Sequence, residues 1–322
     1  MAIKILYETI KEERNKLELS QQELSNQTGV NINIIKALET GRSNTTKDNI
    51  SKIAERLGLN INDIYIEDFR ETKIIAAANN KGGSGKTTVA SNLGYSLSQM
   101  GYKILFIDGD MQMNLSYSFG KEKNDDKNLN HAILYDAENI EDYILETDYE
   151  NIDIIISDFD MARIEQIIFT KTFRESILKV KLEPLIKKGV YDFIIFDTNP
   201  TLGLLNFNIL NASDYILVPV EMTAFGILGL EILTRFIGDV KKINKNLKLL
   251  GVLKNKVDIR ENITKKADEV LIDVFGDKIM KTTINIDTNV KKAQWDRSPL
   301  TVETRAKDQY DDLAREVISL VK

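Results

Sequence analysis

The sequence predicts an α/β fold, with a mostly parallel sheet covered by helices on both faces and a small all-α domain in front of it. From residue 73 onward, short apolar and β-branched runs recur, and helix-like stretches separate most of them. Near-continuous apolar strands that alternate with helices are typical of a parallel sheet buried on both faces. The runs predicted as strands are Ile74–Ala78, Ile104–Ile107, Ile152–Ile156, Phe193–Phe196, Tyr215–Val220 and Leu249–Leu253.

The first 66 residues show helical signals and no strand-like run. Ser20 precedes Glu23 by three residues, which is the spacing of a capping box. Gly29 can end that helix. Asn31 can cap the following helix, and Gly41 can end it. A further amphipathic stripe consists of Ile50, Ile53, Ala54 and Leu57. We therefore predict a bundle of about five short helices.

Composition and charge limit the class of protein. A chain of 322 residues that is 43% hydrophobic can bury a large core. We predict a helical domain at residues 1–66, a linker at 67–72 and the α/β domain at 73–322. The absence of cysteine excludes disulfides and iron–sulfur clusters, and a single histidine argues against a transition-metal centre. No signal-peptide pattern or membrane-spanning apolar run is present, so we expect a cytoplasmic protein.

The strongest motif is the segment KGGSGKTT, which follows the first predicted strand and opens a helix near Thr87. Such a glycine-rich turn presents backbone N–H groups to phosphate oxygens, while Lys86 supplies charge and Thr87 a hydroxyl for Mg²⁺. Asn80 occupies the first glycine position of the strict P-loop pattern, which leaves a glycine-rich turn without ligand as the alternative. The predicted nucleotide contacts are Lys81, Gly82, Gly83, Ser84, Gly85, Lys86, Thr87 and Thr88.

Three carboxylates follow predicted strands. Asp108 and Asp110 come directly after the second strand, and Asp197 follows the run Phe193–Phe196. The carboxyl ends of parallel strands face the ligand crevice of an open α/β sheet. The alternative for Asp108 and Asp110 is that they only cap the helix that follows.

The order and spacing of these motifs over residues 73–320 resemble the deviant Walker A ATPases of the ParA/MinD family. The resemblance implies that Lys81 reaches the phosphates of a second subunit, and that Lys81, Lys86 and Asp110 are the catalytic residues. It also implies that Asp110 positions the attacking water. The implied metal-site residues are Thr87, Asp108 and Asp197, and Asn255 is an implied adenine contact.

Two positions depart from the family pattern, because Met111 and Asn199 stand where prolines are usual. Other stretches receive plainer interpretations. We expect Trp295 to pack against the fold and His131 to have a surface or helix-start role. Basic residues that could form a nonspecific DNA surface are Lys265, Lys266, Lys291, Lys292 and Arg305.

The N-terminal segment from Ser20 to Arg42 resembles the Cro/Xre-type helix-turn-helix. In such folds the second helix enters the major groove. The resemblance implies that Asn33 and Lys36 reach base edges. The implied phosphate contacts are Arg42, Ser43 and Asn44. Acidic and basic residues balance within the first 66 residues, and the net charge of −6 arises in the rest of the chain. The charge of the N-terminal segment therefore permits DNA binding without arguing for it. A domain used only for protein contacts is the alternative.

Together the resemblances imply a partition ATPase that binds ATP and Mg²⁺ and forms a homodimer on ATP binding. It would bind specific DNA through the N-terminal domain and nonspecific DNA through the ATPase dimer, in association with the nucleoid. A ParB-like centromere-binding protein would stimulate hydrolysis. Two alternatives are a nucleotide-sensing transcriptional repressor with little ATPase activity and a membrane-bound ATPase of the MinD kind. The acidic C-terminal stretch argues against the membrane-bound form.

Overall fold

The computed structural model describes residues 3–135, 139–258 and 263–321. The chain divides into two compact units, one of residues 1–71 with 187–190 and one of residues 72–186 with 191–322. The side chains of Lys265 and Lys266, which we singled out as candidate DNA contacts, lie outside the described residues.

The first unit is a helical bundle closed by a small sheet. Its helices are α1 (Tyr7–Lys16), α2 (Gln21–Thr28), α3 (Ile32–Glu39), α4 (Lys47–Leu57) and α5 (Ile61–Ile64). Strand β1 (Lys4–Ile5) pairs antiparallel with β2 (Tyr65–Ile66). The expectation of about five helices is confirmed, whereas the expectation of no strand was wrong. Strands of two residues are too short to show the alternation by which a strand is recognised.

The helix boundaries in this unit follow the predicted local chemistry. Ser20 and Glu23 form the capping box of α2, and Gly29 ends that helix with φ 70°. The Asn31 side chain accepts a hydrogen bond from the Asn33 backbone at the start of α3. These caps satisfy backbone groups that helix ends leave without partners.

A buried ion pair links three helices of the first unit. Arg14 of α1 donates to both carboxylate oxygens of Glu39 on α3, at 2.6 and 2.8 Å. Gln21 of α2 donates to the same carboxylate at 2.7 Å. Because one buried acid is shared by three helices, α3 is held in a fixed orientation with its outer face in solvent.

The second unit is built on a sheet whose described strands run in the order β10-β9-β8-β3-β7-β4-β6-β5. All neighbouring pairs are parallel except β5 with β6. The strands are β3 (Lys73–Ala77), β4 (Ile104–Gly109), β5 (Leu145–Glu146), β6 (Ile152–Ile155), β7 (Phe193–Thr198), β8 (Tyr215–Glu221), β9 (Lys248–Val257) and β10 (Ile279–Asn285). Each of the six predicted strands is present; β5 and β10 were missed.

Helices cover both faces of this sheet, and a separate cluster of buried apolar residues lies on each face. The fold class is therefore the predicted one. The helices are α6 (Lys86–Gln99), α7 (Asn114–Ser118), α8 (Leu129–Leu134), α9 (Met161–Phe169), α10 (Ile177–Lys188), α11 (Leu204–Ala212), α12 (Ala224–Ile243), α13 (Ile263–Phe275), α14 (Thr288–Trp295) and α15 (Arg305–Leu320). Short 3₁₀ turns occupy Ile140–Tyr143 and Gly276–Lys278. Within the described ranges, no helix has the length and apolar character needed to cross a bilayer.

The strand register brings the predicted acids together. Strand β7 lies between β3 and β4, and Asp197 is the register partner of both Ala77 and Asp108. The P-loop follows β3 directly, so the loop and the two acids lie at the carboxyl edge of three adjacent strands. This is the edge at which open α/β sheets bind ligands.

The expectation that Trp295 packs against the fold was wrong, because its side chain is 89% exposed. The core-facing residues of α14 are Val290 and Ala293, which pack against the second hydrophobic cluster. Trp295 lies four residues after Lys291 and three after Lys292, so it shares their exposed helix face.

Candidate functional site

The loop between β3 and α6 has the geometry of a phosphate-binding turn. Gly83 has φ 79°, and Gly85, the N-cap of α6, has φ 90°. A Cβ at Gly85 would lie 2.3 Å from Asn255 Nδ2, so only glycine fits there. The N-terminus of α6 opens directly after the loop, which adds the positive end of a helix dipole.

A cavity of about 420 Å³ lies over this loop. Its lining includes most of the predicted nucleotide contacts and Asp110, together with residues of α7, α14 and the loop after β7. The lining residues are Gly82, Gly83, Gly85, Lys86, Thr87, Thr88, Ser91, Asn92, Asp110, Asn114, Ser118, Pro200, Lys256, Val290, Ala293, Gln294 and Ser298. A concave site with convergent polar groups at a helix N-terminus suits a phosphorylated ligand.

Lys86 is buried at the base of this cavity. Its Nζ lies 3.5 Å from the Lys81 carbonyl oxygen. Burial lowers the pKa of Lys86, and the nearby carboxylates Asp197 and Asp110 oppose that shift. A buried ammonium with so little hydrogen bonding is ready to interact with an anionic ligand.

Asp197 is a fully buried carboxylate; the Thr87 hydroxyl lies near it, but neither of its oxygens accepts a hydrogen bond of good geometry among the described residues. Burial raises the pKa of Asp197 well above its ordinary value, and Asp108 adds to the shift, while Thr87 and Lys86 act in the opposite direction. Leaving a buried acid unpaired is costly, so this arrangement calls for a cation.

Asp108 is also buried, but the chain supplies it with partners. It accepts hydrogen bonds from Ser116 N at 2.9 Å, from Ser116 Oγ at 2.7 Å and from Asp110 N at 3.0 Å. Burial raises the pKa of Asp108 to about 6, against the opposing effect of these hydrogen bonds. The Ser116 bonds fix Asp108 in position beside Asp197.

The chemistry of these side chains fits Mg²⁺, which prefers oxygen ligands. Thr87 offers a hydroxyl, and Asp108 and Asp197 offer carboxylates on adjacent strands. The part of the chain that the structure describes contains no group of three or more acidic, histidine or cysteine ligands that could hold a metal. Mg²⁺ does not need such a group, because it usually binds through one or two carboxylates while waters and substrate phosphates complete its coordination shell.

Asp110 lies at the edge of the cavity, in the turn between β4 and α7. Its Oδ1 accepts a hydrogen bond from Gln112 N at 3.0 Å. Met111, which replaces the usual proline, is exposed. Met113 is buried and adopts φ 56°, and it is the residue that precedes α7. The turn is therefore held by its own backbone and by one buried apolar anchor.

In the loop after β7, Asn199 stands where the family usually has a proline, and its side chain restricts the turn through hydrogen bonds. Asn199 Oδ1 accepts hydrogen bonds from Thr201 N at 2.9 Å and from Thr201 Oγ1 at 2.6 Å. Asn206 of α11 donates to the Asn199 carbonyl oxygen at 2.9 Å. An asparagine that bonds its own backbone two residues on restricts a turn in place of a rigid ring. Pro200, between them, lines the cavity.

Lys81 is held by its own chain. Its Nζ lies 2.8 Å from Glu221 Oε2 and 3.2 Å from Thr223 Oγ1, both at the carboxyl end of β8. Its backbone N–H donates to Asn79 Oδ1 at 3.0 Å. Glu221 and Thr223 were not predicted as partners of Lys81, because about 140 residues of chain separate them from it.

Two further contacts at the loop were also missed. Lys256 donates to the Gly83 carbonyl oxygen at 2.6 Å, and Gln294 donates to Thr88 Oγ1 at 2.6 Å. Asn255 donates to the Ser84 carbonyl oxygen at 2.8 Å. The implied contact of Asn255 with adenine stays a prediction, and its amide nitrogen is engaged with the loop.

In the first unit, the residues predicted to contact DNA are all exposed. Asn33 and Lys36 lie on α3, and the turn after it carries Arg42, Ser43 and Asn44. Their positions leave one face of the bundle with polar and basic groups in solvent. Their contacts with DNA remain predictions.

Comparison with known proteins gives two family matches and close relatives. A model of the AAA domain matches residues 72–249, and a helix-turn-helix model matches residues 10–64. The sporulation initiation inhibitor protein Soj of Bacillus subtilis is 36% identical over 249 residues, covering 76% of this chain and 98% of Soj. The chromosome partitioning protein ParA of Caulobacter vibrioides is 30% identical over 251 residues, covering 77% and 94%. The chain belongs to the ParA family.

Solved structures share the fold of this chain. A plasmid partition protein from Borrelia burgdorferi matches with a TM-score of 0.63 and 26% identity, over 78% of this chain and 99% of that structure. Cobyrinic acid a,c-diamide synthase of Mycobacterium smegmatis, determined with a bound ATP analog and magnesium, matches with a TM-score of 0.70 and 26% identity. The match covers 78% of this chain and 96% of that structure. The resemblances to the ParA/MinD family and to the Cro/Xre-type helix-turn-helix are thus confirmed, and this ParA-family chain combines both in one polypeptide.

Proposed function

We propose that this chain is a DNA partition ATPase that binds Mg-ATP in the cavity over the P-loop and dimerises around it. The observation that carries the proposal is that Lys86 and Asp197 are buried near each other without an ion pair, and that burial shifts the pKa of each against its charged form. One group requires an anion and the other a cation, and Mg-ATP supplies both.

The loop and α6 hold the triphosphate. The N–H groups of the glycine-rich turn and of the first turn of α6 bind phosphate oxygens, and Lys86 places its charge among them. Thr87, Asp108 and Asp197 hold the Mg²⁺. The ion would neutralise charge on the phosphate oxygens, and it would favour the ionised forms of the two acids, whose pKa values burial raises.

Hydrolysis requires a positioned water. Asp110 lies at the cavity edge and orients this water for attack on the γ-phosphorus. The new P–O bond forms as the bond from the γ-phosphorus to the β–γ bridging oxygen breaks, which gives ADP and phosphate and releases the water proton to solvent. Positioning and charge provide most of the catalysis in such transfers, so weak intrinsic activity is expected without a stimulating partner.

Dimerisation places Lys81 on the nucleotide of a second copy. Lys81 must leave Glu221 and Thr223 to do so, which couples the dimer to a local rearrangement at the end of β8. The ATP-bound dimer holds nonspecific DNA of the nucleoid. A ParB-like centromere-binding protein stimulates hydrolysis and releases the dimer, and repeated cycles segregate a plasmid or other mobile element.

The helix-turn-helix unit adds a second mode of DNA binding. Its exposed face on α3 reads a specific site, such as the promoter of its own gene. Two copies brought together by ATP present two such units, which raises affinity for a site with two halves.

Retention of the purified chain on random-sequence DNA tests this function. We expect retention with Mg-ATP, loss of retention with ADP, and faster phosphate release when a ParB-like centromere-binding protein is added. Lys86→Ala serves as the control that lacks the phosphate-binding charge. ATP-independent retention, together with phosphate release that the partner does not accelerate, would instead support a transcriptional repressor that only senses nucleotide.

A further inference from the structure

Two successive residues near the end of strand β9 donate hydrogen bonds to the P-loop. Asn255 Nδ2 donates to the Ser84 carbonyl oxygen at 2.8 Å, and Lys256 Nζ donates to the Gly83 carbonyl oxygen at 2.6 Å. These contacts join the loop to a strand more than 170 residues further along the chain. Successive carbonyls of the loop are therefore anchored by successive residues of one strand.

The anchored carbonyls determine where the loop N–H groups point. A trans peptide unit is planar, so its C=O and the N–H of the next residue point in opposite directions. Fixing the Gly83 carbonyl fixes the Ser84 N–H, and fixing the Ser84 carbonyl fixes the Gly85 N–H. Glycine leaves such a loop free to adopt many conformations, so these orientations need an outside constraint.

The backbone conformation of Lys256 is also unusual. It adopts φ 53°, the left-handed region that residues with a Cβ seldom occupy. Its side chain is exposed and lines the cavity, although its ammonium is engaged by Gly83. The part of Lys256 that lines the cavity is therefore its aliphatic stem.

We propose that Lys256 is a positioning residue, which with Asn255 holds the P-loop in its phosphate-binding conformation before the nucleotide arrives. Lys256 acts through the Gly83 carbonyl and not by contact with phosphate. The same arrangement gives Asn255 a role in the loop, beside the adenine contact that the family resemblance implies. The inference rests on the proposed binding of Mg-ATP at this loop.

The test removes the donor and keeps the stem, in Lys256→Met. The affinity for Mg-ATP should fall about fivefold to tenfold, the size expected for loss of one net hydrogen bond. The turnover number at saturating ATP should stay within about twofold, because the bond orders the loop before binding. Lys256→Arg, which retains a donor, should recover most of the affinity. Lys254→Met is the matched control, because Lys254 contacts Asp268 at 3.1 Å and not the loop.

A second measurement separates this inference from the proposed function. Backbone ¹⁵N order parameters of Gly83 and Gly85 in the nucleotide-free protein should fall from about 0.85 towards about 0.6 in Lys256→Met, and stay unchanged in Lys254→Met. Unchanged order parameters, or an ATP affinity equal to that of Lys254→Met, would overturn the inference. If the wild-type chain did not bind Mg-ATP, the proposed function would fail, and the order parameters would still decide whether Lys256 braces the loop.

Discussion

Lys81 Nζ lies 2.8 Å from Glu221 Oε2, so the lysine ahead of the P-loop forms an ion pair within its own chain. The pair is partly solvated, with 27% of the Lys81 side chain and 31% of the Glu221 side chain exposed. Ion pairs of this kind contribute roughly 0.2–1 kcal/mol. In the proposed dimer, the negative charge of a second copy's triphosphate would replace Glu221 as the partner of Lys81, so this ion pair would have to break as the dimer forms.

Glu221→Gln should favour the ATP-bound dimer. The substitution removes the charge that holds Lys81 while keeping a side chain of similar size. The dissociation constant of the dimer in Mg-ATP should fall by about twofold to thirtyfold, the factor that corresponds to two such pairs, one in each copy, at roughly 0.2–1 kcal/mol each. Sedimentation equilibrium over a range of protein concentrations measures it.

Glu231→Gln is the control for this change, because Glu231 pairs with Arg235 on the exposed face of α12. It should leave the dimer constant unaltered. An equal or weaker dimer in Glu221→Gln would show that the ion pair does not restrain Lys81.

Asp110→Ala should separate ATP binding from hydrolysis. Asp110 lies at the cavity edge, and the carboxylates assigned to Mg²⁺ are Asp108 and Asp197. We expect near-normal affinity for Mg-ATP, a fall of at least about a hundredfold in phosphate release, and a long-lived dimer, since loss of one positioned catalytic group typically costs 10²–10⁴-fold. Single-turnover phosphate release measures the rate. Normal turnover in this variant would remove Asp110 from the mechanism.

Asp197→Asn should stabilise the nucleotide-free protein while abolishing its response to Mg²⁺. Asp197 is buried, and its pKa is raised well above its ordinary value in spite of nearby Lys86 and Thr87, so the neutral amide avoids a net cost of burying charge. We expect the free energy of unfolding to rise by about 1–3 kcal/mol at pH 7.5, as judged by urea denaturation. Added Mg-ATP should stabilise the wild type and leave the variant unchanged.

The pH dependence of this gain follows from the direction of the pKa shifts. The pKa of Asp108 is raised to about 6 and that of Asp197 well above its ordinary value, so the folded state binds these protons more tightly than the unfolded state. Their contribution to stability is complete below about pH 4 and is lost as the pH rises through 6 and beyond. The advantage of Asp197→Asn over the wild type should accordingly shrink towards pH 4. An advantage that grew on acidification would contradict the assigned shifts.

Local patterns in the sequence were sufficient to predict six strands and the phosphate loop. Runs such as Phe193–Phe196 are buried on both faces and read as continuous apolar segments. Strand β10 was not predicted, because it is an edge strand in which polar and apolar residues mix. Its outer backbone groups at Lys281 and Thr282 are satisfied by Glu316 of α15, a contact that only the tertiary fold creates.

The site was predictable only in part, for a related reason. Lys86 and Asp197 belong to motifs that a single segment displays. The partners of Lys81 and of Gly83 lie about 140 and 173 residues away, at the ends of β8 and β9, and nothing in their local sequence marks them. The exposure of Trp295 was misjudged because apolar character alone does not tell which face of a short helix meets the core.

Paired substitutions on the helix-turn-helix unit should distinguish base contacts from phosphate contacts. Asn33→Ala should weaken binding to the preferred DNA site by about 1–3 kcal/mol and relax its sequence preference. Arg42→Ala should weaken binding to all sequences alike and reduce the slope of log affinity against log salt by about 1. Fluorescence anisotropy over a salt series, with a site selected from random oligonucleotides, measures both.

Lys52→Ala provides the matched loss of charge, because Lys52 pairs with Asp48 on the exposed face of α4. It should leave the salt slope as in the wild type. If Arg42→Ala and Lys52→Ala behaved alike, the face at α3 would serve protein contacts and not DNA.

We propose that ATP held at the P-loop joins two copies of this chain, and the mass of the protein in solution reports whether it does. Sedimentation velocity with saturating Mg-ATP should show Asp110→Ala at twice the monomer mass of 36.6 kDa, and the same variant as a monomer with ADP. Lys86→Ala should remain a monomer with either nucleotide. A monomeric Asp110→Ala in saturating Mg-ATP, or a Lys86→Ala that dimerises with ATP, would contradict the account.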